Sequence, residues 1–411
     1  MFFKFIISLI GFLIALPFAV FARLFQKSRK VKKILIAGVE TSANIQEISA
    51  TLSTSPKYLV DVAQFEEHPF YPPVENEKIK VFSQLTIWKN DSVGVNVLKN
   101  WRRILFLYRA VLYYDIVFFN MSESFLFFNF DYPILVLAKK ILIVRQCGDE
   151  VRYRPLQHGI HSQFGIEQWQ NGRRSVLDML FKLRNQIMAE TFAIVISTKD
   201  HSTFQLKDIF VRPYIQKPLK RTTGLSNEVP LIIHAPSDTK IKGTALVKEV
   251  VASLKDQGYH FKFELLTGLK NAVVLEKLSH ASIVIDQPGA VPARFAVEAM
   301  ASGCVVIGGN VPEINGLEGC PVIPFLPQKT NLENSLKKLL DDPDFRIFKG
   351  EENYRYWHKN FSPDAFLLYF ESLLVKKANR FSKFENQFDL LYGEAEKWYE
   401  KVALKIIYRK L

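Results

Sequence analysis

Short apolar runs alternate with longer amphipathic stretches along most of the chain. The run Ile34-Leu35-Ile36-Ala37 closes on Gly38, and Ser42 or Asn44 stands where a helix N-cap belongs. Similar runs at 115–120, 141–146 and 192–197 read as buried strands, with a helix over 176–190 before the last of them. Between Pro213 and Pro230 the periodicity dissolves into Lys, Thr, Gly, Ser, Asn and Pro, the composition of a linker. A second series follows, with strands predicted at 231–234, 261–266, 282–286, 304–307 and 321–325. Helices fall at 245–257, 295–302 and 332–340. Such alternation predicts an α/β chain of two doubly wound halves with parallel sheets. A cleft between them, at the C-terminal strand ends, is the default ligand site. The first half spans 32–215, the linker 216–229 and the second half 230–360. Residues 361–411 form a helical tail expected to pack back on the first half.

The N-terminus departs from this pattern. From Phe5 to Ala22 no residue is charged, and Phe, Ile and Leu dominate. As a helix this run is roughly 27 Å long, against a hydrocarbon core of about 30 Å. Pro17 inside it predicts a kink, so residues 2–25 suit either a spanning or a re-entrant insertion. Arg23, Lys27, Arg29, Lys30, Lys32 and Lys33 follow, and by the positive-inside rule they keep the body of the chain in the cytoplasm. A cleaved signal peptide ending in Val20-Phe21-Ala22 is the competing reading; the basic cluster directly after the cut opposes export. Residues 1–31 are assigned as membrane anchor and basic flank.

Composition narrows the partners. At 411 residues the chain exceeds a single core. Its 54 Lys and Arg against 41 Asp and Glu, a formal charge of +13, suit an anionic partner. No zinc-finger, RNP or basic-zipper pattern is present, so nucleic acid is not expected. Cys147, Cys304 and Cys320 are widely spaced, neither a disulfide framework nor a metal cluster. His158 and His161 lack the company a metal site needs and read as loop residues, with acceptor contact the second choice. Lys99, Trp101, Arg102, Arg103, Phe106, Tyr108 and Arg109 mix cations with aromatics on one predicted helix. Such a mixture fits an anionic lipid surface as well as packing against the sheet.

Two blocks carry the candidate chemistry. In Ile233-His234-Ala235-Pro236-Ser237-Asp238-Thr239-Lys240-Ile241-Lys242-Gly243-Thr244 a strand ends, a loop presents two lysines, and a helix begins. A lysine there can neutralise a diphosphate, helped by helix N-terminal amides. In the block from Ala281 to Gly303 another strand ends at Asp286-Gln287, a Gly/Pro turn follows, and a helix carries Glu298. A carboxylate on such a helix can accept hydrogen bonds from both hydroxyls of a ribose. Taken singly, each residue also reads as a solvated surface group.

Together "HAPSDTKIKGT", "ASIVIDQ" and "FAVEAMASGCVVIGG" resemble the donor half of retaining glycosyltransferases of family 4, of the bacterial capsule and surface-polysaccharide type. The resemblance covers most of 230–327 and implies the GT-B fold of two Rossmann-like domains. It implies that Lys242, with Lys240, holds the donor pyrophosphate and that Glu298 binds the ribose; these two are the candidate catalytic residues. His234, Ser237 and Gly243 would line the donor pocket, and Gly289, Ala290 and Val291 would present backbone amides to the sugar and phosphates. Two departures stand out. Many members carry a second glutamate where this chain has Ala290, leaving Asp286 and Gln287 to take part of its load. An arginine that commonly precedes the lysine is also missing. In the first half "QCGDEVRYRP" resembles the "GSDxR" turn of the acceptor side, with Gly148 and Arg152 matching, Glu150 in place of Asp, and Cys147 in place of His. Gly38, Ser42, Asn44, Gly148, Glu150 and Arg152 are therefore the acceptor-side candidates.

The expected activity is transfer of a sugar from a nucleoside diphosphate to a lipid-linked or polysaccharide acceptor. Retention of configuration and independence of metal and cofactor follow from the resemblance. A nucleotide-sugar epimerase on the same fold and a non-catalytic scaffold in polysaccharide assembly are the alternatives, since a fold does not fix a function.

Overall fold

The computed structural model describes residues 2–26, 29–41, 44–65, 76–82, 93–162, 174–198, 201, 203–206, 210–211, 214–289, 291–311, 317–375 and 387–408. The first half is built on an all-parallel sheet of β1 (Lys32–Gly38), β2 (Tyr58–Gln64), β3 (Lys80–Phe82), β4 (Ile116–Asn120), β5 (Ile141–Arg145), β6 (Ile194–Ser197) and β7 (Phe210–Val211). Their spatial order is 3-2-1-4-5-6-7. Chain order reverses between β1 and β4, which opens a crevice at their C-terminal ends. Strands β4 and β5 are buried along nearly their whole length, so they read as unbroken apolar runs. Strands β2 and β3 escaped the sequence reading; β2 carries Asp61 and Gln64 among its apolar residues, and β3 has only three residues.

Helices α2 (Asn44–Thr54), α3 (Val93–Tyr113), α4 (Asp131–Leu137), α5 (Arg154–Ser162) and α6 (Val176–Phe192) accompany this sheet. The second sheet comprises β8 (Leu231–His234), β9 (Lys262–Leu265), β10 (Ile283–Ile285), β11 (Val305–Gly308) and β12 (Ile323–Pro324), in the order 12-11-10-8-9 and again all parallel. Its helices are α7 (Thr244–Asp256), α8 (Asn271–Leu278), α9 (Arg294–Ser302), α10 (Lys329–Asp341) and α11 (Pro343–Asn360). The switch point lies between β8 and β10, where the two candidate blocks meet. From Phe295 to Ser302 every residue of α9 is buried, because the helix packs on both β11 and α11. Its run of small and apolar residues follows from that double burial.

The stretch predicted as a linker is bonded to the second half. Thr222 donates its amide to the Ser302 carbonyl at 2.8 Å and Thr223 to the Ser279 carbonyl at 3.1 Å, while Leu225 enters the core. Its polar residues thus satisfy carbonyls at the C-terminal ends of α8 and α9. After α11 the chain crosses back. Helix α12 (Pro363–Val375) places Phe366, Phe370 and Leu373 in one core with Ile34, Ile36 and Ile48. Helices α13 (Gln387–Glu394) and α14 (Trp398–Tyr408) cover α5 and the loop before it, where buried Glu400 accepts from the Tyr153 hydroxyl at 2.9 Å and pairs with Arg174.

Helix α1 (Phe2–Phe25) runs through Pro17 and packs lengthwise on α3 and α4. Its inner face is small: Ser8, Ala15, Ala19 and Ala22 are buried, and a Cβ on Gly11 would lie 2.8 Å from Leu126 Cδ2. On the outer face Phe5, Leu9, Leu13, Phe21, Leu24 and Phe25 are 40–69% exposed.

Gly38 ends β1 at φ +135°, and a Cβ there would lie 2.3 Å from the Asn120 carbonyl oxygen. Gly38→Ala combines a backbone clash with an unfavourable φ, so it should cost on the order of 3 kcal/mol. A lowered denaturation midpoint is the expected result; an unchanged midpoint would contradict this account of the β1–β4 crossing.

Candidate functional site

The donor-side loop is shaped by Asp238, whose Oδ1 accepts from the amides of Lys240 (2.8 Å) and Ile241 (3.0 Å). Gly243 then adopts φ +65° as the residue before α7, and a Cβ there would press on the Pro288 ring at 3.2 Å. The loop after β8 is therefore packed against the turn after β10, which is why glycine and proline stand there. The turn places Lys242 inward. Its Nζ lies 2.7 Å from Oδ1 of the fully buried Asp286, whose Oδ2 accepts from the Ala293 amide at 3.2 Å. Ser237 and Lys240 stay exposed on the rim, and Gln287 is half-buried.

His234 is placed differently from the sequence expectation of a donor contact. It is buried at the end of β8, Nδ1 donating to the Ile285 carbonyl at 2.8 Å and Nε2 accepting from the Thr244 hydroxyl at 2.9 Å. Burial lowers its pKa, in keeping with this neutral tautomer. Both ring nitrogens are occupied, so His234 ties β8, β10 and α7 together.

Glu298 lies buried on α9. Its Oε1 accepts from Arg294 Nε and Asn271 Nδ2, both at 3.2 Å. Burial raises its pKa above the ordinary carboxylate value, while Arg294 beside it acts in the opposite direction. The loop holding Gly289 and Val291 is pressed onto Gly309, where a Cβ would lie 2.5 Å from the Val291 carbonyl oxygen. Gly309 was readable in "VVIGG" as a second glycine after a strand; Arg294 was readable as the i−4 neighbour of Glu298. Neither was singled out. Ala290 and Ser42 lie outside the described residues.

In the first half, Asn120 at the end of β4 donates to the Val39 carbonyl (2.8 Å) and the Thr41 hydroxyl (3.0 Å), beside Gly38. The N-terminus of α2 is filled by Glu40, a residue the sequence reading missed. Its carboxylate accepts from the amides of Thr41 (2.8 Å), Ile45 (3.2 Å) and Gln46 (3.2 Å). Burial raises the Glu40 pKa in spite of these bonds and of Arg145 nearby. Asn44 is the first helical residue rather than a cap, and its amide donates to the Thr41 hydroxyl at 3.1 Å. Glu150, expected to face an acceptor, is turned onto its own loop: its oxygens accept from the amides of Cys147 (2.6 Å) and Gly148 (2.8 Å). Gly148 at φ +145° makes that turn possible. The turn leads to Arg152, which lines a cavity of about 370 Å³ with Asp149, Arg154, Asp178 and Lys182. Arg154 is paired with Asp149 at 2.7 Å and Lys182 with Asp178 at 3.7 Å. His158 meets Glu394 of α13 at 3.3 Å, and the side chain of His161 lies outside the description. Among the described residues no cluster of three His, Cys, Asp or Glu side chains is placed to hold a metal ion.

Asp286 holds both Lys242 and the Ala293 amide. Asp286→Ala would strand a mostly buried ammonium and the Ala293 amide, at a cost on the order of 3 kcal/mol. Asp286→Asn, which keeps an acceptor, should cost less; equal melting temperatures for wild type and the alanine variant would refute the pairing.

No family model matches the chain, and no curated protein matches it in sequence. Solved structures do share its architecture. Sucrose-phosphate synthase from Thermosynechococcus elongatus superposes with a TM-score of 0.55 at 13% identity, over 83% of this chain and 98% of that one. HepE from Anabaena, solved in complex with UDP-glucose, superposes with a TM-score of 0.54 at 14% identity, over 84% and 99%. The likeness spans nearly their whole length and both sheets of this chain, whose architecture is the two-sheet GT-B fold.

Proposed function

We propose that the chain is a membrane-attached glycosyltransferase. It moves a sugar from a nucleoside diphosphate to a lipid-linked or polysaccharide acceptor, with retention and without a metal. The observation that carries this reading is the convergence of Lys242, Asp286 and Glu298 at the switch point between β8 and β10. Glu298 accepts the ribose hydroxyls, and Lys242 with the positive end of α7 meets the diphosphate. Transfer of this kind breaks the bond between sugar and diphosphate, so stabilising the departing charge is the main demand on the protein. Lys242 meets it by sharing its ammonium between Asp286 and the phosphates. The complexes of HepE with UDP and UDP-glucose support a uridine nucleotide as the first probe.

UDP should raise the melting temperature of the full chain, and Lys242→Ala should weaken UDP binding by tenfold or more. If neither UDP, GDP nor ADP stabilises the wild type, the scaffold reading takes its place. Binding of UDP-glucose should also weaken on acidification. Ionised, the Glu298 carboxylate accepts at both oxygens; protonation turns one of them into a donor, and its raised pKa brings that loss in above the ordinary carboxylate value of 4.5. Glu298→Gln should bind weakly and lose this pH dependence; an unaltered pH profile in that variant would assign the titration elsewhere.

We further propose that α1 attaches the first half to the cytoplasmic face of a bilayer without leaving it. Its small face supports the reading, as do the bonds of its basic flank: Arg29 donates to the Tyr113 carbonyl at 2.6 Å and Gln26 to Asp115 at 2.9 Å. The apolar outer face then lies among lipid chains near the headgroups. A tag on the N-terminus should stay open to protease on the same side of sealed vesicles as the body. Protection of the tag would establish a spanning helix instead.

A further inference from the structure

Arg294 stands where the two halves of the chain meet, and its guanidinium serves both. Nη1 donates to the Ile215 carbonyl at 2.6 Å, and Nη2 donates to Gln216 Oε1 at 2.7 Å. The same Nη2 lies 3.6 Å from Glu47 Oε1 on α2, while Nε holds Glu298 at 3.2 Å. All three charged side chains are largely buried, with 4–15% of their surface exposed. Gln216 is itself the meeting point of the two chain crossings. Its amide donates to the Phe361 carbonyl at 2.9 Å, and its carbonyl accepts from Trp357 Nε1 at 3.0 Å. Phe361 directly precedes the segment that returns to the first half as α12. One side chain on the donor helix thus touches the outgoing crossing, a carboxylate of the opposite half, and the carboxylate assigned to the ribose. Through Gln216 it also reaches the returning crossing.

We propose that Arg294 is a positioning residue that couples nucleotide binding at Glu298 to the arrangement of the two halves. The inference rests on the assignment of Glu298 to the ribose. Oε1 of Glu298 is shared between Arg294 and Asn271, so hydroxyls arriving at this carboxylate change the charge that Arg294 feels. Arg294 in turn divides its donors between Glu298, Glu47 and the crossing at 215–216. Any preference of the nucleotide for one arrangement of the halves must appear, by reciprocity, as a preference of that arrangement for the nucleotide. Glu47 is the cleanest place to test it, because it lies on the opposite half.

The experiment measures UDP affinity together with the distance between spin labels on the two halves of the full chain, with and without UDP. Glu47→Gln keeps the shape of the side chain and removes its charge. It should shift UDP affinity by fivefold or more and alter the UDP-induced change in distance distribution. Arg294→Lys should do the same more strongly, since one ammonium cannot serve four acceptors at these positions. If wild type binds UDP and Glu47→Gln binds it identically, with the same distance change, the coupling is wrong and the nucleotide site stands. If wild type binds no nucleotide, the site assignment falls and the coupling falls with it.

Discussion

Charged side chains taken out of water set the terms for this structure. Lys242 with Asp286, Glu298 with Arg294, Glu40 with the α2 amides, and Glu400 with Arg174 are mostly or wholly buried groups. An isolated charge in such a place would cost several kcal/mol, and a partner with good geometry offsets most of that. Glu298 finds Arg294 one turn away on its own helix, whereas Lys242 and Glu400 depend on partners from other segments held at a fixed distance. The β8–α7 loop is shaped so that Lys242 reaches Asp286. The Ala293 amide, directly before α9, reaches the same carboxylate. The site is a consequence of these pairings as much as of the sheets that carry them.

The same constraint ties the halves together. The chain crosses between them around 215–216 and again after 361, and the two crossings are hydrogen-bonded to each other at Gln216. Helices α12, α13 and α14 then spend their apolar faces on the first half. Tyr153 and Arg174 converge on Glu400, which fixes α14 against the loop that carries Arg152. The turn at 147–152 is thus held from within by Glu150 and from outside by the tail.

Much of the frame was legible in the sequence because the strands are short, buried runs between amphipathic helices. Strand β8 and helix α9 agree with their predicted spans to within a residue. Lys242 and Glu298 stood out through spacing and resemblance, and the structure buries both. Direction was harder to read than position. His234 and Glu150 lie in the expected loops or strand ends, yet their polar atoms are spent on the fold. Sequence spacing does not reveal whether a polar side chain faces a ligand or a neighbouring backbone amide. Glu40 was overlooked for the same reason: one carboxylate before a helix resembles a solvated cap until its burial is known. Arg294 was passed over as well, because its bonds to Ile215, Gln216 and Glu47 depend on segments far away in the sequence.

On the proposed reading, the Lys242–Asp286 pair bears on which ligands the second half can bind. An ammonium already neutralised by a buried carboxylate offers little attraction to a single negative charge. A diphosphate brings at least two, and it arrives at the positive end of α7 as well as at Lys242. The pairing therefore favours ligands whose charge exceeds what Asp286 supplies. It also keeps the lysine ordered before any ligand arrives, which lowers the entropy lost on binding. On the proposed reading, a nucleoside without phosphates would meet Glu298 but bring no charge to Lys242. On the proposed reading, discrimination between nucleoside and nucleoside diphosphate rests on this one ion pair.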